Sequence, residues 1–321
     1  MPDIDVLVAG DTLVDFLPSH EGPPDNDTSY VPRLGGSAAN VAIVLDRLDV
    51  PPLFWTRFAT DAFGSFLQGH FLESNIPSEY LITDDEARTT LGVVSHDVSG
   101  ERSFEFYRAR GADTRLEPGT VTDATLDIVS WVHTTGVTMN VEPSRTATLE
   151  LQERASDKCI VSMDPNWRPD LWESREDFAA VLRGALSNVD FLVASEEDLA
   201  AAGFTAEDPS TLAETVAANG PDTVVITLGN AGALCYGTSA SPIPGLARHR
   251  GYEVDVVDTT GAGDAFFAGM IASITNGVED PERALKLANA VGAIATTQPG
   301  AVTALSSLDD VRQFHDNVPW A

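Results

Sequence analysis

Residues Asp258–Phe266 have the sequence Asp-Thr-Thr-Gly-Ala-Gly-Asp-Ala-Phe, and this stretch decides how the 321-residue chain is interpreted. It follows a strand-like run at 252–257 and precedes a helix-like run at 266–274, which places it at the start of a helix. The small residues Gly261, Ala262 and Gly263 let main-chain amides approach a ligand closely. Amides at a helix start favour an anion, so the stretch predicts an anion site.

The second aspartate of the stretch, Asp264, is unexpected beside an anion site, because its charge repels the anion that the amides attract. An ordinary carboxylate is ionised at neutral pH and can take a proton from a hydroxyl that attacks a phosphoryl group. The stretch therefore predicts Asp264 as a general base and the amides of residues 261–264 as an anion hole. The structural alternative is an ordinary helix start, with glycine for the turn and aspartate near the helix dipole.

Other common motifs do not account for this stretch. The P-loop pattern Gly-x-x-x-x-Gly-Lys-Ser/Thr is absent, and neither lysine lies near a glycine-rich turn. A dinucleotide fingerprint would need Gly or Ala at the position of Phe266, so an NAD-dependent oxidoreductase is the weaker alternative. The sequence also lacks the zinc motif His-Glu-x-x-His and the hydrolase elbow Gly-x-Ser-x-Gly.

A second glycine-rich segment, Gly35–Asn40, has the sequence Gly-Gly-Ser-Ala-Ala-Asn and leads into a helix-like run that ends near Leu48. The two glycines expose backbone amides, and the Asn40 side chain carries both a donor and an acceptor, which suits the hydroxyls of a polyol. A plain helix start, with Asn40 bonding local backbone groups, explains the segment equally well. Taken alone, the segment leaves both interpretations open.

Short runs rich in Val, Ile and Leu alternate with longer amphipathic stretches through most of the chain. This order predicts an α/β fold with a mainly parallel sheet covered by helices on both faces. Two β-rich stretches, at about 11–34 and 87–112, interrupt the alternation. The second one contains the turn 97–100 and an arm in which Phe104 and Phe106 face the same way. We expect the two stretches to form a small β lid over a cleft.

The charge balance is strongly acidic, with 49 Asp and Glu against 19 Lys and Arg and a formal net charge of -30. Only Lys158 and Lys286 are lysines. Such a field repels nucleic acid and anionic membranes, so neither is an expected partner. Two cysteines and an acidic amino terminus favour a cytoplasmic protein. The excess of carboxylates with few lysines predicts a halophilic protein that concentrated salt screens.

The two glycine-rich segments, taken in order with Asp164–Arg168 and Thr227–Gly232 between them, resemble the ribokinase-like sugar kinases of the phosphofructokinase-B family. The resemblance covers nearly the whole chain and is nearest to the fructokinase and 2-keto-3-deoxygluconate kinase branches. It implies a single sugar-kinase domain over 1–321, a three-layer α/β/α sandwich with a mainly parallel central sheet and a small β lid. It further implies transfer of the γ-phosphoryl group of MgATP to a sugar hydroxyl.

The resemblance carries further site residues onto this chain. The positions that match sugar-contacting or substrate-binding residues are Asp15, Gly35, Gly36, Asn40, Arg108 and Arg168. The positions that match the nucleotide site are Thr227, Gly229, Gly232 and Asn289. Asp258 matches a position that helps to bind a monovalent cation such as K+. Where relatives have Asn-x-x-Glu to support Mg2+, this chain has Ser195–Asp198, so Asp198 would act through water, or the segment is an ordinary helix cap.

The substrate remains open between a ketohexose and a 2-keto-3-deoxy sugar acid, because an arginine can serve the carboxylate of an acid or the hydroxyls of a neutral sugar. The alternatives are a kinase for ribose or a nucleoside and a member of the fold that binds sugar or nucleotide without turnover. Because an exposed β edge pairs readily with a copy of itself, we also expect a homodimer through the lid.

Overall fold

The computed structural model describes residues 4–19, 22–96, 102–303 and 307–314. The turn expected at 97–100 lies outside these residues. The strands are β1 (Val6–Ala9), β2 (Leu13–Pro18), β3 (Tyr30–Gly35), β4 (Leu53–Ala59), β5 (Leu81–Asp84), β6 (Leu91–His96), β7 (Arg102–Tyr107), β8 (Trp131–Thr135), β9 (Ile160–Asp164), β10 (Phe191–Ser195), β11 (Thr223–Thr227), β12 (Ala233–Gly237) and β13 (Gly245–His249). The helices are α1 (Ser37–Arg47), α2 (Ala62–Leu72), α3 (Asp123–Leu126), α4 (Ser144–Ala155), α5 (Arg175–Ala185), α6 (Glu196–Ala201), α7 (Pro209–Ala217), α8 (Ala262–Thr275), α9 (Pro281–Ala295) and α10 (Leu308–Phe314). None of the helices in the described ranges combines the length and the apolar character that crossing a bilayer requires.

The larger sheet has nine strands in the order β13-β12-β11-β10-β9-β8-β1-β4-β5. The strands from β11 to β5 pair in parallel, and β12 and β13 add an antiparallel edge. In the buried strand β1, Val6 and Val8 enter one apolar cluster while Leu7 and Ala9 enter another. Helices α1, α2, α8, α9 and α10 cover the first cluster, and α3 to α7 cover the second. The expected three-layer α/β/α architecture is confirmed.

Helix α8, which carries the predicted base, is held against the sheet and against α9. The side chain of Phe267 is fully buried and packs edge-on against the ring of His133 from β8, with ring centroids 4.4 Å apart. A Cβ atom at Gly269 would approach the Cα atom of Ala288 to 2.8 Å, so the glycine allows α8 and α9 to pack closely. The start of α8 is therefore fixed relative to the carboxyl edge of the sheet.

The smaller sheet has the order β3-β2-β6-β7, and its strands fall inside the two β-rich stretches expected to form a lid. Strands β2 and β6 pair in parallel, whereas both outer pairs are antiparallel. On β7, Glu105 and Tyr107 are exposed while Phe104 and Phe106 face a cleft below the sheet, as their alternation predicts.

The strand expected at 252–257 is wrong. This segment has no regular structure, and Val256 and Val257 are exposed. β13 forms one edge of the larger sheet instead. The amides of Val257 and Asp258 donate instead to the carbonyl of Thr296 at the end of α9, at 2.8 and 3.1 Å.

Candidate active site

A cleft of about 360 Å³ lies between the smaller sheet and the carboxyl ends of β1, β9, β10 and β11. Parallel sheets bind ligands at this edge, because loops from several strands converge there. The first wall consists of Leu13, Asp15, Phe104 and Phe106 from the smaller sheet. Opposite are the start of α1 and the loop 259–264. Segments more than 200 residues apart in the chain thus meet in one cavity.

Asp264 lies on the wall of the cleft, in the first turn of α8, with its side chain buried. Its Oδ1 atom accepts a hydrogen bond from the Ser37 hydroxyl at 2.7 Å, and its Oδ2 atom accepts one from Nδ2 of Asn40 at 2.8 Å. The Asn40 side chain therefore serves Asp264 rather than the local backbone. The Oδ1 atom of Asn40 is buried and has no partner among the described residues, so it remains an acceptor for a hydroxyl.

Beside Asp264, the main chain turns at Gly261, whose φ of 73° is in the left-handed region that favours glycine. In the part of the chain that the structure describes, the amides of Gly261, Gly263 and Asp264 have no hydrogen-bond acceptor. These three residues line the cleft. Ala262 differs: its amide donates to the carbonyl of Thr259 at 3.2 Å, and it lies outside the wall of the cleft. Three amides at the start of α8 are therefore without an acceptor in the described ranges and available to an anion.

Of the predicted sugar-binding residues, Gly36, Asn40, Asp15, Arg108 and Arg168 line the cleft. Gly35 lies behind Asp15, because a Cβ atom built at Gly35 would fall 2.1 Å from the Asp15 Oδ2 atom. A Cβ atom at Gly92 would likewise fall 2.5 Å from the Oδ1 atom of Asp15. Gly35 on β3 and Gly92 on β6, the two strands that flank β2, thus make room for the buried carboxylate of Asp15.

Arg108 and Arg168 differ in how many hydrogen bonds their guanidinium groups already donate. The guanidinium of Arg108 donates from Nε to Asp113 at 2.7 Å, from Nη1 to Asn140 at 2.9 Å and from Nη2 to the carbonyl of Val137 at 3.0 Å. Arg168 is exposed, donates to the carbonyl of Trp167 at 2.8 Å and makes no ion pair within the described residues. Arg168 is therefore the more available cation for a ligand.

Asp198 is the third residue of α6 after its cap Ser195, and the two form a capping box. The Oδ2 atom of Asp198 accepts from both the amide and the hydroxyl of Ser195, and its Oδ1 atom accepts from the amide of Trp167 at 2.7 Å. One acceptor position remains on Oδ1 for a metal-bound water. In the described ranges no cluster of three or more His, Cys, Asp or Glu side chains is arranged to hold a metal.

Of the predicted nucleotide residues, Thr227 belongs to the wall of the cleft, whereas Gly229, Gly232 and Asn289 do not. Thr227 ends β11 and lines the cleft itself. Gly229 and Gly232 follow in the adjacent turn, both with positive φ. A Cβ atom at Gly251 would lie 3.3 Å from the Cα atom of Gly232 and 3.6 Å from the Oδ1 atom of Asn289, so these residues are close neighbours. The fold thus brings Asn289 of α9 to the turn after β11.

Asp258 is buried, and its hydrogen bonds organise the loop that leads to the unpaired amides. Its Oδ1 atom accepts from the amide and hydroxyl of Thr260 at 2.8 and 2.7 Å, and its Oδ2 atom accepts from the amide of Gly300 at 2.8 Å. Its role in binding a monovalent cation stays a prediction.

Sequence reasoning did not select Ser37, Asp11 or Asp164 as functional residues, although all three line the cleft. The Oδ2 atom of Asp11 accepts from the amide of Ser37 at 2.9 Å, and its Oδ1 atom from that of Ala38 at 3.3 Å, so it caps the start of α1 from another segment. Burial, Asp198 and Asp264 hold the pKa of Asp164 well above its usual value. The available signals were local: Asp11 follows β1, Asp164 ends β9, and Ser37 lies within the glycine-rich segment Gly35–Asn40.

Burial raises the pKa of Asp264 to about 6, although Asn40 and Ser37 oppose the rise by bonding to the charged form. A general base must be ionised, so we expect kcat/KM to fall about tenfold per pH unit below pH 6. The pKa of Asp264 in the folded protein exceeds its unfolded value of 3.8, so protonation of this side chain stabilises the folded state. This stabilisation is complete below pH 3.8 and is lost as the pH rises through about 6. Initial rates between pH 5 and 8.5 test this. A flat profile across pH 5 to 7 would contradict it.

The fold is an α/β sandwich whose cleft brings a buried carboxylate next to main-chain amides that have no acceptor among the described residues. The pfkB family carbohydrate kinase profile matches residues 3–308, so the chain belongs to this family and is a carbohydrate kinase. A fructokinase of Klebsiella pneumoniae is 35% identical over 317 residues, which cover 96% of this chain and 98% of that protein. Family membership favours this activity over an NAD-dependent oxidoreductase.

Two solved structures extend the comparison. The Xylella fastidiosa fructokinase with bound ATP superposes with a TM-score of 0.85 at 28% identity, covering 97% of this chain and 98% of that one. A fructokinase double mutant from Vibrio cholerae, in its fructose, ADP and potassium ion bound form, has a TM-score of 0.82 at 28% identity, with coverage of 97% and 98%. These chains share the ribokinase-like arrangement described above.

Proposed function

We propose that this chain phosphorylates fructose with ATP, with Asp264 as the general base. The observation that carries the proposal is the pairing, in one cleft, of a buried carboxylate with three main-chain amides that have no acceptor among the described residues. Sugar kinases need both features, because a hydroxyl must lose a proton while charge develops on the transferred phosphoryl group. The similarity to fructokinases over the full length supports the choice of sugar.

In this mechanism the sugar lies under the smaller sheet, near Asp15 and Asn40, and its reacting hydroxyl contacts Asp264. The hydroxyl oxygen bonds to the γ-phosphorus while the bond from phosphorus to the β-phosphate oxygen breaks, and ADP leaves with that electron pair. The proton passes to the Asp264 carboxylate. The amides of Gly261, Gly263 and Asp264 stabilise the charge on the moving phosphoryl oxygens.

The residues around the nucleotide side fit a hydrated divalent cation better than a closed protein cage. Mg2+ usually keeps several waters and binds through few carboxylates and the substrate phosphates. Asp198 would hold such a water through the open position on Oδ1, and Mg2+ when bound neutralises phosphate charge. Asp258 would support K+, by analogy with the Vibrio cholerae fructokinase, whose structure has a bound potassium ion.

The charges of the cleft favour a neutral sugar over a sugar acid. Asp11, Asp15 and Asp264 surround the sugar end, whereas the nearby cation Arg108 is already paired with Asp113. A like charge at about 4 Å costs roughly 4 kcal/mol at an effective dielectric constant of about 20. Arg168 is the feature that favours the alternative, 2-keto-3-deoxygluconate, because it is exposed and unpaired in the described ranges.

We expect kcat/KM for fructose to exceed that for 2-keto-3-deoxygluconate at least about tenfold, since each 1.4 kcal/mol of like-charge repulsion is a factor of ten. ADP formation in concentrated KCl, with fructose, the keto-deoxy acid, its galactose-derived epimer, ribose and adenosine, tests this order. Arg168→Gln is the matched variant: at pH 8.5, well above the pKa of about 6 of Asp264, it should spare fructose and remove residual activity on the acid. Faster turnover of an acid, ribose or adenosine would overturn the choice of sugar, and ATP binding without turnover of any of them would favour a binding protein.

We also infer a halophilic, cytoplasmic homodimer that pairs through the smaller sheet. Tyr107 on the outer strand β7 is 60% exposed, and Val31 on the other outer strand β3 is 42% exposed. At about 1 M salt the Debye length is about 3 Å, so salt would screen the net charge of -30. Sedimentation across a KCl series tests the salt dependence and the dimer together. A folded protein at every salt concentration would contradict the halophilic inference, and a monomer at every salt concentration would contradict the dimer.

A further inference from the structure

Ser37, the first residue of α1, lies between two segments that the sequence keeps far apart. Its Oγ atom is 2.7 Å from Oδ1 of Asp264 on α8 and 3.1 Å from Nδ2 of Asn166, which follows β9. The Ser37 side chain is buried and forms part of the cleft wall. A single hydroxyl therefore joins the loop after β9 to the predicted base.

The direction of these hydrogen bonds follows from the donors and acceptors present. A serine hydroxyl has one proton to donate, and the Asn166 Nδ2 atom can only donate. Nδ2 is also 3.3 Å from the Oδ2 atom of Asp164, which confirms that the amide nitrogen faces this side. The Ser37 hydroxyl must accept from Asn166, so its own proton is directed at Asp264.

Asn166 is itself held in an unusual backbone conformation. Its φ is 46°, which is uncommon for a residue other than glycine, although asparagine tolerates it better than most. Its amide donates to the Oδ1 atom of Asp164 at 2.9 Å, and the side chain is buried. The donor that restrains the Ser37 hydroxyl is therefore fixed at both its main chain and its side chain.

Both oxygens of Asp264 consequently face fixed donors, Ser37 at Oδ1 and Asn40 at Oδ2. Each oxygen keeps a second acceptor position for the proton of the sugar hydroxyl, and the ionised carboxylate accepts from both donors more strongly than the protonated form would. We propose that Ser37 is a positioning residue that keeps Asp264 ionised and oriented toward the sugar hydroxyl. This inference rests on the proposed function, since it concerns the base of that reaction.

The charged groups that act on Asp264 come from three other segments. Asp11, after β1, and Asp164, at the end of β9, oppose its ionisation, whereas Arg168 favours it. Ser37 and Asn40 from α1 add the two hydrogen bonds that favour the charged form. Removal of one hydrogen bond to a charged carboxylate is expected to shift its pKa upward by roughly one unit or more.

The test compares the pH dependence of kcat/KM in the wild type, Ser37→Ala and Ser37→Thr. We expect Ser37→Ala to move the acid limb upward by about one pH unit, so that its activity relative to wild type falls about fivefold at pH 6 and recovers at pH 8.5. Ser37→Thr keeps the hydroxyl and should restore the wild-type limb. The dissociation constant for ATP, measured for all three proteins, reports whether the fold is intact.

The inference is overturned if the limb of Ser37→Ala coincides with that of the wild type, or if both variants shift equally, which would indicate a packing role. A wild-type protein that phosphorylates none of the tested sugars would instead overturn the proposed function. The two failures are therefore distinguishable in the same experiment.

Discussion

Asp264→Asn is expected to lower kcat about 10³-fold, within the range that removal of a general base usually produces. An asparagine side chain cannot take the proton of the sugar hydroxyl. It fills the same volume, and its oxygen can still accept from either Ser37 or Asn40. Single-turnover rates with fructose and ATP, together with calorimetric binding of ATP, measure the two effects separately.

Binding of ATP should change little in this variant, because the amides of Gly261 and Gly263 belong to the main chain and stay in place. Asp190→Asn is the matched control. Burial also raises the pKa of Asp190, and its Oδ2 atom accepts from the amide of Val161 at 2.8 Å, but it lies outside the cleft wall. The control should keep wild-type turnover. Undiminished turnover in Asp264→Asn would overturn the assignment of the base.

Gly261→Ala is expected to lower kcat about 10²- to 10³-fold, the usual cost of losing a preorganised amide donor to a developing anion. A Cβ atom at this position would fall 2.3 Å from the Cβ atom of Ala301 and 2.7 Å from its Cα atom. The backbone would have to move away from Ala301, and a φ of 73° would also be strained for alanine. Both effects displace the amides that face the phosphates.

Unlike Asp264→Asn, this variant should also weaken ATP binding, because the main-chain site itself is displaced. Gly184→Ala is the matched control, since Gly184 is exposed on α5 and a Cβ atom there would meet nothing within 4 Å. The control should keep its activity and gain up to about 1 kcal/mol of helix stability. Wild-type turnover and ATP affinity in Gly261→Ala would show that the anion hole lies elsewhere.

The local features of the site were predictable from the sequence because they depend on neighbouring residues. The stretch Asp258–Phe266 contains its own turn glycine and its own helix start, and α8 begins there at Ala262. Alternation along β7 predicted that Phe104 and Phe106 share one face, and the structure shows that this face lines the cleft. The fold class followed from the order of strands and helices, and the family comparison confirms it.

Other features escaped prediction because they depend on which strands become neighbours. The hydroxyl of Ser37 reaches Asp264 across a separation of 227 residues. Asp113 is fully buried and forms an ion pair with the guanidinium of Arg108. A substrate carboxylate would need that guanidinium to be free. The segment 252–257 has alternating apolar residues, but it joins no sheet, and the amide of Val257 donates to the end of α9 instead.

The sequence by itself determined the chemistry available: a turn with exposed amides, a carboxylate three residues into a helix, and a glycine-rich approach to α1. These are short-range properties, set by the conformations that each residue allows. Only the tertiary structure decided which donors hold Asp264 and which arginine stays free. Hydrogen bonds have a reach of about 3 Å, so such partnerships exist only once packing of the whole sheet has brought its strand ends together.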